Sequence, residues 1–443
     1  MQAIANAPDD EHFKNLNIGY YSIDENAPAL LNGDKFFQRH AVIVGSTGSG
    51  KSWCVAKILE QVAKLSSADA ILFDIHGEYS TLLEDGFQHL KIAGPNDGIK
   101  EGIIYLPYWL LTYDEMLSMM LDRSDNNAPN QAMVFSTEVM SEKKKYLQDS
   151  NKEDVASVIT LDSPVPYSIQ NVLQCLKTKD VEMVKGAKSE KQGPYHGKLT
   201  RFIQRLEAKL NDKRLHFMFS DKPENMKYDY MAELCEHLMS PSVNGHGGVK
   251  VIDFSEVPSD ILPLITSLIA RIIFSVQQWS DSDKRSPLAL FCDEAHLYIP
   301  ENSKSSIDAI SANAFERISK EGRKYGIGLV VISQRPSEVN RTVLSQSNNF
   351  IAMRLTNADD QAVVKRLLPD SLGDYSEMLP ILDIGEAIVV GDASLLPSRI
   401  QISEPKLKPR SATVDFWSEW ARENLKSNIP YAVEALRRQS KTN

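Results

Sequence analysis

Short, almost wholly apolar runs punctuate the chain: "HAVIVG", "ADAILFDI", "GIIYLP", "VKVIDFS", "PLALFCDE", "GIGLVVIS", "NNFIAMRL" and "GEAIVVG". Runs apolar on both faces read as strands buried in a parallel sheet, and the stretches between several of them carry helical patterns. The alternation predicts an α/β fold with a central, mainly parallel sheet, though not the order of its strands. Between Leu106 and Lys250 charged segments with helical patterning, among them "DEMLSMMLDRS" and "GKLTRFIQRLEAKLNDKR", replace most of the apolar runs, which predicts a helical insertion. Within it, "VKGAKSEKQGPYHG" at 184–197 reads as a mobile loop, and two helices are expected after Pro405. The expected organisation is an N-terminal linker over 1–38, a first core segment over 39–108, the insertion over 109–247, a second core segment over 248–403 and a helical tail over 404–443.

The chain of 443 residues, 42% hydrophobic, is long enough for two or three domains without covalent staples. Cys54, Cys175, Cys235 and Cys292 are scattered singly, which suits reduced thiols in a cytoplasmic protein. No apolar run approaches the roughly 20 residues that span a bilayer, and the N-terminus lacks the pattern of a signal peptide. With a formal net charge of −10, any surface for nucleic acid must be local.

The sharpest chemical signal follows "HAVIV". Gly45-Ser46-Thr47-Gly48-Ser49-Gly50-Lys51-Ser52 has the spacing of a phosphate loop between a strand and a helix. Glycines there let backbone N–H groups turn toward phosphates, Lys51 reaches the β and γ phosphates, and Ser52 offers a hydroxyl to Mg²⁺. Trp53 follows directly and is grouped with the nucleotide-binding residues. "PLALFCDEAH" places Asp293 and Glu294 at the end of a buried strand, where the first suits the metal and the second suits polarising an attacking water. An adjacent acid of this kind favours hydrolysis over phosphate transfer to a substrate. "GIGLVVISQRPSE" ends in Gln334, an amide suited to reporting the γ-phosphate. Arg39, Arg317, Arg323 and Arg354 are the candidate cations for transition-state charge, Arg39 acting in cis and Arg323 toward a neighbouring subunit.

Taken in order, "RHAVIVGSTGSGKSW", "FDIHGEY", "LPYWLLTYDE", "KVIDFSEVP", "FCDEAHLYIP", "ISKEGRKYGIGLVVISQRPSEV" and "LDIGEAIVVGDASLLPSRIQI" resemble the HerA-type ATPases of the HerA/FtsK superfamily from Arg39 to Ile402. The resemblance implies a RecA-like P-loop core, ATP and Mg²⁺ as cofactors, and a homo-hexameric ring that moves double-stranded DNA. It also implies a partner nuclease or other effector, in DNA end resection or anti-phage defence. Lys51 and Ser52 take the nucleotide and metal in this reading, and Asp293 and Glu294 are its acidic pair. Gln334 is its sensor, Arg39 matches a cis arginine, Arg323 is the first choice for the finger and Arg354 the second. Asp74, His76 and Glu78 lie where they line the nucleotide site or couple it to the pore. The family also carries a β-barrel ahead of the phosphate loop, of which the residues before Gly45 resemble at most the last strand and linker.

DNA contact is expected from Lys198, Arg201, Arg205, Lys209, Lys213 and Arg214, with further basic stretches at 143–145 and 185–191. Two other readings stay open. One is an ATPase scaffold that assembles and gates a partner enzyme with little DNA pumping. The other is a secretion or conjugation ATPase, which requires a membrane tether.

Overall fold

The computed structural model describes residues 15–186, 188–243, 246–367, 377–411, 416–421 and 428–438. The rest of the expected tail, at 412–415, 422–427 and 439–443, lies outside the described residues, as does Ala187 in the expected loop. By contacts the chain divides into one unit of 1–91 with 235–432 and another of 92–234 with 433–443.

The first unit is built on a sheet whose strands, in chain order, are β1 (Asn15–Tyr21), β2 (Asp24–Asn32), β3 (Ala41–Val44), β4 (Asp69–Asp74), β5 (Phe87–Ile92), β6 (His246–Asp253), β7 (Leu288–Cys292), β8 (Ile327–Ser333), β9 (Asn349–Met353), β10 (Glu386–Gly391) and β11 (Ser398–Ile402). Their spatial order is β2-β1-β11-β10-β9-β3-β8-β7-β4-β6-β5. From β9 to β5 each described pairing is parallel. From β9 to β2 each is antiparallel. The expected parallel core is present, with two differences. "GEAIVVG" forms an antiparallel strand, and "GIIYLP" supplies only the two-residue strand Ile103–Ile104. Apolar runs signal burial on both faces, not strand direction or length, so neither difference was legible. The N-terminal segment supplies β1 and β2, whose alternating burial marks strands with one covered face.

Four helices matter for the site and its surroundings: α1 (Gly33–Gln38), α2 (Lys51–Val62), α3 (Leu262–Trp279) and α4 (Ser306–Glu321). Cys54, Val55, Ile58 and Leu59 of α2 are fully buried in one cluster with Ile43, Leu72, Phe291, Val330 and Ile351 of the sheet. Among the described residues α3 is long and apolar enough to cross a membrane, although no single apolar run of the sequence announced it. It is mostly buried within the protein, with Leu264, Ile265, Leu268, Ile269 and Ile273 fully so.

In the second unit the helices Ala128–Asp149 and Thr200–Leu210 meet through Phe135 and Phe202, whose ring centroids are 5.4 Å apart. The expected mobile loop contains a short hairpin, Met183–Lys185 with Glu190–Gln192. Several of the expected DNA-contacting cations already have acidic partners. Arg205 pairs with Asp122 at 2.7 Å, and Arg214 pairs with Asp212 at 2.7 Å. Asp212 stands within the same basic segment, whereas Asp122 comes from 83 residues away, which charge counted along that segment could not show.

His40, just before β3, ties the sheet to α4. Its Nδ1 accepts from the Leu329 N–H at 2.9 Å, so Nε2 carries the proton and donates to the Ser319 carbonyl at 3.1 Å. Burial lowers its pKa to about 4, with the nearby Arg323 guanidinium acting in the same direction. The folded state therefore binds fewer protons than the unfolded state below about pH 6.5. Stability should fall as pH drops from 6.5 toward 4, by up to about 3 kcal/mol from this group. Asp69 and Asp74, raised to about 6 by burial, act with opposite sign over much of that window. The measurement is therefore a difference: urea unfolding of wild type and His40→Gln from pH 7 to 4.5 should show a shrinking gap. A gap that does not change with pH contradicts the neutral, buried imidazole.

Candidate functional site

Parallel strands deliver their carboxyl ends to one edge of the sheet, and the predicted chemistry gathers there. The buried β3 leads into the loop 45–50, with Gly48 at φ +74° and Gly50 at φ +107°, conformations open to glycine at little cost. A Cβ on Gly45 would stand 2.4 Å from Ser49 Oγ and 2.8 Å from Met353 Cβ. Gly50 caps α2 without a side-chain hydrogen bond, leaving the first N–H groups of the helix for a ligand. Two backbone bonds pin the loop: Ser46 N–H to the Arg354 carbonyl at 2.7 Å and Gly385 N–H to the Ser49 carbonyl at 2.9 Å. Lys51 folds back over it, donating to the carbonyls of Gly45 at 2.7 Å and Ser46 at 3.2 Å.

Asp293 and Glu294 follow β7 and are both buried. Glu294 adopts φ +46°, a left-handed conformation that is uncommon for a glutamate, and its N–H donates to Asp293 Oδ1 at 3.0 Å. Gln334, after β8, bridges acid and loop. Its Nε2 donates to Glu294 Oε1 at 2.8 Å, and its Oε1 accepts from the Thr47 hydroxyl at 2.6 Å. Glu294 Oε2 is buried with no hydrogen bond, at 3.3 Å from His296 Nδ1. Ser333 Oγ lies 3.2 Å from the same nitrogen. After β4, Asp74 accepts the N–H groups of Glu78 at 3.0 Å and Tyr79 at 2.9 Å, and Glu78 Oε2 accepts the Ser52 hydroxyl at 2.9 Å.

Burial dominates the electrostatics. It pushes the Asp293 carboxyl well above the usual carboxylate range, reinforced by the negative charges of Glu294, Glu78 and Asp74. It also lowers the Lys51 pKa, an effect opposed by Glu294, Asp293 and Glu78. These groups line a cavity of about 610 Å³, a size that suits a nucleotide. Beyond the loop its wall is formed by Tyr20, Trp53, Ile384, Gln401, Ile402, Ser403, Glu404 and Ser411.

Of the predicted residues, Thr47, Gly48, Gly50, Lys51, Ser52, Trp53, His76, Glu78, Asp293, Glu294 and Gln334 line the cavity, and Asp74 supports Glu78 from behind it. Gly45 and Ser49 support it from within the loop. The arginines differ in how their placement meets the expectation. Arg39 lies at the amino end of β3, with its Nε 3.6 Å from Asp392. The six residues from it to Gly45 span about 20 Å of extended chain, which does not favour action in cis. Arg323 is exposed just before β8, whose far end carries Gln334. Arg354, by contrast, adjoins the loop through its carbonyl. Among the described residues the cavity lining contains one lysine, no arginine and four carboxylates, Glu78, Asp293, Glu294 and Glu404. Sequence reasoning missed His296, although it stands within "CDEAH", and it also missed Tyr20, Gln401 and Glu404. The latter three reach the cavity only because β1 and β11 pair beside it.

A profile described as "Helicase HerA, central domain" matches residues 16–273, and "Helicase HerA-like C-terminal" matches 230–425. The chain belongs to the HerA helicase family. The DNA double-strand break repair helicase HerA of Sulfolobus acidocaldarius is 25% identical over 389 residues, covering 87% of this chain and 68% of that protein. A probable counterpart from Methanocaldococcus jannaschii is 25% identical over 418 residues, covering 88% and 76%. Among solved structures, VirB4 of Thermoanaerobacter pseudethanolicus superposes with a TM-score of 0.56 at 16% identity, covering 89% of this chain and 98% of that one. The bacterial conjugative coupling protein TrwB gives 0.55 at 12% identity, covering 92% of each. At these identities the structural likeness concerns the fold.

The glycines of the loop separate two effects. A methyl on Gly50, at φ +107°, meets the backbone of Gly385 at 3.3 and 3.4 Å besides the mobile end of Met353, whereas one on Gly48 meets open space and costs only about 1–2 kcal/mol of left-handed strain. Titration with a fluorescent ATP analogue should show at least a tenfold affinity loss for Gly50→Ala and a smaller one for Gly48→Ala. Equal losses would contradict the loop geometry.

Proposed function

We propose that the chain hydrolyses ATP with Mg²⁺ and uses the energy to move double-stranded DNA through a ring of identical subunits, working with a nuclease or other effector at DNA ends. The observation that carries the ATPase reading is the bridge from Thr47 through Gln334 to Glu294, which joins the phosphate loop to the acidic pair.

In this reading Lys51 and the N–H groups of the loop take the phosphates. Ser52 and Asp293 would hold Mg²⁺, and the carboxylate oxygens of Glu78 and Glu294 in the same lining suit that hard cation. Among the described residues no three His, Cys, Asp or Glu side chains form a metal cage. That agrees with a site in which phosphates and water supply most ligands. The ion would add charge neutralisation at the phosphate oxygens. Glu294 accepts the proton of the attacking water, and its buried, unbonded Oε2 is an available acceptor. Gln334 exchanges its bond to Thr47 for one to the γ-phosphate or water when nucleotide enters, and so senses the nucleotide state.

The arginine positions support the ring. Arg39 and Arg323 sit at the amino ends of their strands, opposite the cavity, so each is suited to a neighbour's site. A head-to-tail interface of that kind closes into a ring if its rotation permits. Arg354, next to the loop, suits a role within its own subunit. Duplex DNA as the track rests on the family and on its repair helicases. TrwB, whose fold is shared, has been seen with ADP and Mg²⁺. The internal pairing of Arg205 and Arg214 favours a second reading, an ATPase that assembles and gates its partner with little DNA movement.

Glu294→Gln should retain nucleotide binding and lower hydrolysis by about 10²–10⁴-fold, measured by phosphate release. In wild type, duplex DNA should raise the rate, and added salt should erase the increase. A rate indifferent to DNA at low salt but raised by the partner protein would overturn the motor in favour of the scaffold.

A further inference from the structure

We propose that Glu78 is a positioning residue for the metal: it fixes the Ser52 hydroxyl so that its lone pairs, not its proton, face the cation. The inference rests on the reading of the cavity as a site for Mg²⁺ and ATP, and it concerns a residue outside the acidic pair. A hydroxyl that ligates a cation does so through oxygen, so its proton needs a separate acceptor. Here that acceptor is in place before any ligand arrives, because Ser52 Oγ donates to Glu78 Oε2 at 2.9 Å. Neither Asp293 nor Glu294 fills this role.

The support for Glu78 is built into the fold. Gly77, at φ +73°, turns the chain after β4. The two oxygens of Asp74 then hold the N–H groups of Glu78 and Tyr79, and Tyr79 is fully buried. From the other side, the Arg410 N–H donates to the Glu78 carbonyl at 2.6 Å, and the Thr81 hydroxyl donates to the Lys408 carbonyl at 2.6 Å. The residue is therefore clamped through its backbone, and its side chain is left to act on Ser52. Electrostatics point the same way. With Asp293 and Glu294 in the same cavity lining and Lys51 its only lysine or arginine among the described residues, a further carboxylate would repel a polyphosphate unless a divalent cation lay between them. The buried Glu294 Oε2, which no hydrogen bond within the protein satisfies, is a second acceptor in the same lining suited to a ligand.

The test compares wild type, Glu78→Ala and Glu78→Gln by titrating a fluorescent ATP analogue against Mg²⁺, with a parallel titration in EDTA and a thermal unfolding scan. Ala removes the acceptor, whereas Gln keeps an acceptor oxygen without the charge. Glu78→Ala should raise the Mg²⁺ concentration needed for half-maximal binding by about 10–100-fold. Its binding in EDTA should equal or exceed wild type, because a repulsive charge is gone. Glu78→Gln should recover most of the Mg²⁺ response. A Mg²⁺ requirement for Glu78→Ala within twofold of wild type would overturn the assignment. So would an equal loss of binding in Mg²⁺ and in EDTA, which marks a merely structural residue. If wild type itself binds no nucleotide with Mg²⁺, the ATP reading fails and takes this one with it; if wild type binds and only the variant comparison fails, this assignment alone is lost.

Discussion

One lysine faces several carboxylates in a buried cleft, and much of the site can be understood from that imbalance. Burial makes it more severe, because Asp293 and Lys51 both lose solvation that their charged forms require. The hydrogen bonds among Thr47, Gln334, Glu294, Asp293, Ser52 and Glu78 hold the groups in place without neutralising them. A site in this condition gains most from a ligand that brings cations with it, and nucleotide with a divalent metal is such a ligand. The remaining deficit, a cation for the transition state, is not met by any arginine of the cavity lining among the described residues.

The sheet explains why these groups meet at all. β3, β4, β7 and β8 lie far apart in sequence, yet parallel pairing aligns their carboxyl ends, so the loop, Asp74, the acidic pair and Gln334 converge. The antiparallel extension does different work. β11 and β1 run beside the loop and supply Gln401 and Tyr20, which with Trp53 widen the phosphate site into a cavity large enough for a whole nucleotide.

The legible part of this site was the part in which spacing and chemistry coincide. Gly45 to Ser52, Asp293, Glu294 and Gln334 each follow an apolar run, so their position at strand ends could be argued from the chain alone. Glu78 was legible as a neighbour of the site but not as the partner of Ser52, because nothing in "DIHGEY" says which hydroxyl its carboxylate meets. Tyr20 and Gln401 depended on an antiparallel pairing that apolar content does not encode. A cis role for Arg39 could not be judged from the chain, because closeness in sequence to a strand does not tell which end of it the nucleotide occupies. Arg39 precedes β3 and the loop follows it, so the strand itself separates them. The pairing of Arg205 was not legible because Asp122 lies 83 residues away.

In the proposed ring Arg39 or Arg323 would supply the transition-state cation to a neighbouring subunit while Arg354 serves its own, and mixed rings test this directly. Subunits carrying Arg323→Ala or Arg39→Ala, each inactive alone, are mixed with Lys51→Ala subunits and assayed for ATP hydrolysis. The account predicts that activity reappears in at least one mixture, because intact loops then meet intact arginines across interfaces. Two inactive parents that stay inactive in every proportion, despite forming mixed rings by size and mass, would contradict it.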